Sequence, residues 1–440
     1  MSQRITRRGF IQHTAAAGAG LATTSTFARN APKQGANEKI RLGLIGCGKR
    51  GPQLAGHVQQ IPDTEITAIC DVNELHLDRQ YKWLDKKPKR YKDFRKVIDD
   101  DSIDAVIVAT NGHWHVLPAI YACQSGKDVY LEKPVGTRIN EGWAAIKAAK
   151  KYNRIMHMGM QQRSWDHYHQ AIEIIRSGKL GDISKVHVWD LNNYYPGPGS
   201  PPNSEPPETL DWNFWLGPAP KVPYNRNRLK SHYWFFDYGG GWQLDWAVHH
   251  YDIVHWAMGI SAPKYAWGAG ARYALDDNLQ WPDTFQGACE YGPGPVAKNG
   301  FLMTYTCRTA NAHLIEGDYN GKIFYGTHAA MALTRRGIRI YGETHPSGKA
   351  VEDEVIKARP QREATHKHFM TFFDCIRTRK PTPVPIELGH QASNPGHVMN
   401  IAWKVGRRIE WDGEKEQVVG DEAANKLVSK EYREPWSLEV

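Results

Sequence analysis

The stretch Arg41–Gly51, RLGLIGCGKRG, decides the fold. Leu42, Leu44 and Ile45 form a short apolar run, which reads as a buried strand. Gly46, Gly48 and Gly51 then supply G-x-G-x-x-G, with Cys47, Lys49 and Arg50 between them. The first glycine permits a tight bend, the second lets backbone approach a pyrophosphate, and the third lets the next helix pack close to the strand. That helix aims free N–H groups and the positive end of its dipole at phosphate. A second apolar run, Glu65–Cys70, ends in Asp71. An acid about 20 residues beyond the last glycine accepts hydrogen bonds from a dinucleotide's ribose hydroxyls. Strand, glycine turn, strand and acid in this order predict a nicotinamide dinucleotide site. Asp71 would repel a 2′-phosphate, which favours NAD, while Lys49 and Arg50 keep NADP possible.

Composition bounds what surrounds this unit. The 440 residues suffice for two domains. Hydrophobic content of 41% and charged content of 23% are those of a soluble globular chain. The net charge of +9 is scattered, with Lys82–Arg95 the only basic cluster, so a solvated surface is expected and no nucleic acid. None of the six cysteines forms a C-x-x-C pair, which argues against a zinc ribbon or redox motif; no metal is expected. Many of the sixteen Trp and twenty Tyr crowd into Trp189–Trp256. Aromatic faces suit sugar rings and plain packing alike, and both readings stay open.

Residues 1–28 read as an address. Thr6-Arg7-Arg8-Gly9-Phe10-Ile11 precedes a small, weakly apolar run, Thr14–Ala22, and Thr26-Phe27-Ala28 has the form of a cleavage site. This is the pattern of a twin-arginine export signal, which predicts a periplasmic or otherwise exported protein. Residues 29–38 are a polar linker. No other stretch is apolar and long enough to span a bilayer, so the mature protein is expected to have no membrane span.

Strand and helix patterns alternate from Ile40 to Gly159. Helices are predicted at Asn73–Trp83, Tyr91–Ile98, His115–Ser125 and Glu141–Lys151, and strands at Ile103–Ala109, Asp128–Leu131 and Arg154–Gly159. The alternation predicts an α/β fold, a doubly wound parallel Rossmann sheet over 39–160. Residues 161–440 change character. A helix is predicted at Ser164–Arg176, and Tyr195–Pro207 is a Pro/Gly/Ser-rich loop. Strand-like runs at Lys185–Asp190, Tyr265–Tyr273, Thr284–Glu290, Gly300–Thr306, Ala312–Asp318 and Lys322–Tyr325 predict a large, mostly antiparallel sheet. Helices return at Thr365–Arg377 and Val398–Arg408.

Two constellations carry chemistry. Lys133, in Glu132-Lys133-Pro134, directly follows a buried strand, where ligands of doubly wound sheets bind. Desolvated there, its amine could exchange a proton with a substrate hydroxyl; a surface loop lysine is the other reading. Further on, Gly239-Gly240-Gly241 leads into a helical pattern with Asp245 and His249 four residues apart on one face. A carboxylate beside an imidazole suits a general base, and a surface pair beside a core helix is the alternative. His250 points roughly 100° away from His249 on a helix, so one face cannot use both as metal ligands.

Taken together, these features resemble the Gfo/Idh/MocA oxidoreductases, named for glucose-fructose oxidoreductase and inositol dehydrogenase. The resemblance runs from Ile40 to about Asp412 and rests on the glycine turn, Asp71, Glu132-Lys133-Pro134, and the triple glycine followed by Asp245 and His249. His113-Trp114-His115, Gln161–Ser164 and Asn400–Asp412 resemble exported, Trp-rich bacterial members. The resemblance implies Lys133 and His249 as proton-handling catalytic residues, with Asp245 orienting the histidine. It places Thr110, Asn111, His115 and Glu132 beside the cofactor and Arg163 and His250 beside the substrate. It implies hydride transfer at a hydroxyl of a sugar, glycoside or polyol, and a homo-oligomer, dimer or tetramer. Two departures stand out: Ala109-Thr110-Asn111-Gly112 replaces the usual A-T-P-D/N turn, and Ala247 replaces a usual glycine. An exported protein meets little free NAD, so a retained cofactor is expected. Oxidation of one sugar coupled to reduction of another would satisfy this, and so would a redox-neutral glycosidase, lyase or epimerase, which is the first alternative. A non-catalytic NAD- or sugar-binding protein is the second.

Overall fold

The computed structural model describes residues 39–343 and 351–440. The export signal and linker read in residues 1–38 lie outside them. The first half alternates as expected: β1 (Ile40–Ile45), α1 (Arg50–Val58), β2 (Thr64–Cys70), α2 (Glu74–Trp83), β3 (Lys89–Tyr91), α3 (Phe94–Ile98), β4 (Ala105–Val108), α4 (Val116–Gln124), β5 (Asp128–Leu131), α5 (Ile139–Lys151) and β6 (Met156–Met158). The strands form a parallel sheet in the order β3-β2-β1-β4-β5-β6. The order reverses between β1 and β4, which opens a crevice beyond their carboxyl ends. β4 and β5 are buried at every residue, as a sheet covered on both faces requires.

The second half carries α6 (Asp166–Arg176), β7 (Ile183–Leu191), α7 (Trp212–Leu216), α8 (Arg226–Lys230), α9 (Trp242–Asp245), α10 (Val248–Met258), β8 (Tyr265–Ala271), β9 (Thr284–Tyr291), β10 (Phe301–Arg308), β11 (Asn320–Gly326), β12 (Ala329–Thr334), β13 (Gly337–Gly342), β14 (Glu354–Lys357), α11 (Gln361–Thr378), α12 (Ile386–Val405), β15 (Ile409–Asp412), β16 (Gln417–Val418) and α13 (Glu422–Asn425). Among the described residues ten strands make one sheet in the order β14-β13-β12-β11-β7-β10-β9-β8-β15-β16, in which the β7–β10 pairing alone is parallel. No helix among the described residues is long and apolar enough to cross a membrane.

Several expectations need correction. Tyr91 closes the edge strand β3, and the helix starts only at Phe94, because the Asp93 side chain caps it by accepting the Arg95 N–H. Ala312–Asp318 is not a strand: Glu316 and Gly317 both take left-handed conformations, and only an Ile315–Asp318 bridge forms. β12 to β14 were not foreseen. Ala329–Thr334 has a helix former's composition and is held extended by pairing on both sides, to β11 and β13. α12 begins twelve residues before Val398, despite Pro395 and two glycines.

The second half also completes the first. α11 lies on one face of the parallel sheet, where Phe369 stacks on Tyr130 of β5 with ring centroids 4.5 Å apart. Phe369, Phe372 and Phe373 are fully buried there beside Leu44, Ile69 and Ile107. Phe369→Ala should therefore lower the stability of the whole protein by about 3–5 kcal/mol, read from the shift of its denaturant midpoint.

Candidate active site

The glycine turn is built as its sequence suggests. Gly46 sits at φ +98°, and a Cβ there would lie 2.6 Å from the Ala109 carbonyl oxygen. A Cβ on Gly51 would lie 2.0 Å from the Gly46 oxygen, so this glycine lets α1 press against β1. A Cβ on Gly48 would meet nothing nearer than the His76 ring at 3.8 Å. The space over Gly48 is open beside the start of α1, which has no side-chain cap and no acid in its first turn. Open space and uncapped N–H groups fit a pyrophosphate. Asp71 accepts the Cys47 N–H and the Asn73 N–H, each at 2.8 Å, and so fixes the end of β2 against the turn. Arg79, which the sequence did not single out, donates to the Gly48 carbonyl at 2.7 Å. Lys49 is exposed, and burial pushes the Cys47 thiol well above its usual range.

Arg50 and Glu132, both expected at the cofactor, are bound to each other: Arg50 Nε donates to Glu132 Oε1 at 2.7 Å. Glu132 is buried, which would raise its pKa, but the Arg50 and Lys133 charges outweigh burial and hold it below the usual range. This turns Arg50 away from the role of a 2′-phosphate partner. Both His115 ring nitrogens are within bonding distance of carbonyl oxygens, Pro134 at 2.7 Å and Thr110 at 3.1 Å, so the ring straps together the loops after β4 and β5. Thr110 keeps a buried hydroxyl without a partner, and Asn111 is partly exposed beside it.

Lys133 reaches across to the second half, where its Nζ donates to the Asp245 backbone carbonyl at 2.6 Å. Burial lowers its pKa, against the opposing pull of Glu132 and Asp245. Asp245 and His249 do not lie on one continuous helix. α9 is a single turn, and the chain breaks at Trp246–Ala247 before α10 begins. The Asp245 carboxylate turns back to accept the Gly240 N–H at 2.8 Å, and His249 Nδ1 is buried with no partner. The expected carboxylate–imidazole contact is thus replaced by a carboxylate that braces the triple-glycine loop. Burial pushes Asp245 up to about 7, opposed by the Gly240 N–H and Lys133. Burial, with Lys133 and Arg335 nearby, holds His249 far below the usual imidazole range, as the neutral base.

Trp246 is where these groups meet. Lys133 Nζ lies 5.9 Å from its ring centroid, Arg335 Cζ 5.2 Å, and the His249 ring stands edge-on at 6.3 Å. Trp234, Trp242 and Trp246 form a stacked series, with Trp246 half-buried at the cleft. Most of the other aromatics in this region, such as the Trp212–Trp215 stack, fill the core. Arg163 and His250, expected at the substrate, face elsewhere. Arg163 grips the buried Asp252 through Nε at 2.8 and 2.9 Å, and His250 points at the buried Asp190 at 3.3 Å. Arg335, at the β12–β13 turn, was missed because β12 was missed; its signal is an arginine pair between an apolar run and Gly337.

A parallel nucleotide-binding sheet with a half-buried lysine at the tip of β5, facing a half built on one large sheet, defines a two-domain NAD-binding oxidoreductase fold. The chain belongs to the Gfo/Idh/MocA oxidoreductase family. The family's NAD-binding Rossmann fold matches residues 40–160, and its C-terminal alpha/beta domain matches 170–264 and 306–438. A glycosyl hydrolase family 109 protein of Saccharopolyspora erythraea is 32% identical over 35% of this chain and 38% of its own length. An alpha-N-acetylgalactosaminidase of Shewanella oneidensis is 29% identical over 41% of this chain and 44% of its own. The chain thus matches less than half the length of these relatives. Two solved structures share the fold: scyllo-inositol dehydrogenase of Lactobacillus casei with NAD(H) and scyllo-inositol (18% identity, 85% of this chain and 99% of that one, TM-score 0.61), and the WlbA dehydrogenase of Bordetella pertussis with NADH and UDP-GlcNAcA (20%, 85% and 99%, 0.62).

The turn geometry separates two glycines by role. Gly48→Ala should leave the unfolding temperature unchanged yet weaken NAD binding by about tenfold or more, measured by fluorescence titration. Gly51→Ala should lower the unfolding temperature itself.

Proposed function

We propose that this protein carries out hydride transfer at a hydroxyl-bearing carbon of a sugar, glycoside or polyol in the cleft beside Trp246. The observation that carries the reading is the meeting of a desolvated Lys133 amine and a neutral His249 on one aromatic face. NAD would be held by the glycine turn, Asp71 and the open N-terminus of α1, and would supply a hydride acceptor or donor at the reacting carbon. Trp246 offers its face to the apolar C–H patches of a sugar ring. Lys133 donates a hydrogen bond to the reacting hydroxyl and stabilises the oxygen as it loses its proton. His249, neutral at physiological pH, receives that proton. Asp245 acts as a positioning residue: its carbonyl aims the lysine and its carboxylate holds the glycine loop.

The names of the relatives favour a second reading. Glycoside cleavage with no net redox change would begin with transient oxidation of a sugar carbon. That acidifies the neighbouring C–H, permits loss of the aglycone and addition of water, and ends with re-reduction. The export signal read in residues 1–28 favours this cycle, because a protein outside the cytoplasm gains from keeping and regenerating its cofactor.

Denaturing the purified protein and quantifying released nicotinamide cofactor distinguishes the two. Near-stoichiometric cofactor, with nitrophenol released from nitrophenyl glycosides without added NAD, is the result expected of the redox-neutral cycle. NADH accumulating from free sugars, with no nitrophenol released, is the result expected of net oxidation. In either case Lys133→Met and His249→Ala should each lower turnover by about 10²–10⁴-fold, and full activity in both would overturn the reading.

The pH profile tests Asp245. Below pH 7 its carboxyl is protonated, and Lys133 loses a counter-charge that keeps its amine protonated. As pH rises through about 7 the carboxylate forms and activity should rise. Asp245→Asn should remove that limb.

A further inference from the structure

Two cations beside this site have no hydrogen-bonded acid. Arg335 stands over Trp246, and its Nε is buried without a hydrogen-bond partner. Behind it, Lys322 of β11 is wholly buried, its Nζ likewise without a partner and 4.9 Å from the Tyr168 ring centroid. The Tyr168 hydroxyl is buried and unpartnered as well. The acids around them make no hydrogen bond to either: Glu132 holds Arg50, Asp252 holds Arg163, Asp245 takes the Gly240 N–H, and Asp190, which faces the neutral His250, acts on both cations only through its charge. Among the described residues, neither Arg335 nor Lys322 forms a salt bridge. A wholly buried ammonium beside a partly buried guanidinium is costly without a hydrogen-bonded counter-charge, because charge in a low-dielectric site demands one or loses its proton. Burial accordingly holds the Lys322 amine down at about 7, with Arg335 adding to the effect and the charges of Asp190 and Asp252 opposing it. Arg335 cannot escape in this way, since a guanidinium stays protonated.

We propose that the sugar taken by this cleft carries a carboxylate, as in a uronic acid or its glycoside, received by the Arg335 guanidinium with Lys322 and the Tyr168 hydroxyl behind it. A planar fork of N–H donors matches a planar carboxylate, and such charge-assisted pairs are the strong ones. The sugar ring would lie on Trp246 between this anion site and Lys133, so charge recognition fixes which carbon faces the proton-handling pair. The proposal rests on the reading of this cleft as the substrate site.

Binding, not turnover, tests it. Calorimetric titration of the NAD-loaded protein would use matched probes: glucuronate against glucose, galacturonate against galactose, and glucose 6-phosphate as a second anion. At least one uronate should bind about tenfold or more tightly than its neutral partner. Arg335→Gln should abolish that preference and Arg335→Lys should keep part of it. Equal binding of the uronates and their neutral partners by the unmodified protein overturns the proposal, whatever the variants do. Tighter binding of the phosphate than of either uronate overturns the carboxylate assignment. Neither result touches the hydride-transfer reading, which stands or falls with Lys133→Met and His249→Ala.

Discussion

The cost of burying charge organises this molecule. Lys133 has to hold a partly desolvated amine, and the groups around it answer that demand. Its own neighbour Glu132 supplies a carboxylate, which is in turn fixed by Arg50 from the first turn of α1. Its far end is taken by the Asp245 carbonyl. One chain of contacts thus runs from the glycine turn, through the tip of β5, into the triple-glycine loop of the second half. The nucleotide-binding turn, Lys133 and Asp245 are parts of a single network. A change in the Arg50–Glu132 pair would be felt at the lysine without touching it.

The parts of this structure legible in the sequence were those governed by local rules. Gly46 and Gly51 have steric reasons to be glycine, and Asp71 caps the turn at the end of an apolar strand, so the first sheet could be drawn almost strand by strand. The site was legible as a list of residues and not as a set of contacts. Asp245 and His249 are four apart, and helical spacing makes them neighbours; the break at Trp246–Ala247 comes from packing that no spacing rule contains. Arg50, Glu132 and His115 were read as ligand contacts because their positions are right. Their side chains are committed to one another and to backbone carbonyls. Arg335 lay beyond reach because its place follows from a hairpin whose first strand looks helical in isolation.

The same contrast explains the aromatic wealth between Trp189 and Trp256. Composition alone cannot tell a platform from a core, since both bury large rings. The structure divides them: Trp212 and Trp215 stack within the core, whereas Trp246 stays half-buried where Lys133, His249 and Arg335 converge. A site built around one ring would have a simple geometry, because a saturated chair laying its C–H face on it would be held at a fixed height relative to the groups at its rim.

The cover that α11 lays over the first sheet has a consequence for how the protein comes into being. A chain is synthesised from its N-terminus, and the nucleotide-binding strands are complete once β6 has been made. α1 and α2 cover part of one face, but the part beside Tyr130 stays open until Phe369, Phe372 and Phe373 arrive, more than two hundred residues later. Until then the growing chain carries an apolar patch that its nearby helices do not fully cover. The cofactor half matures last, although it is written first.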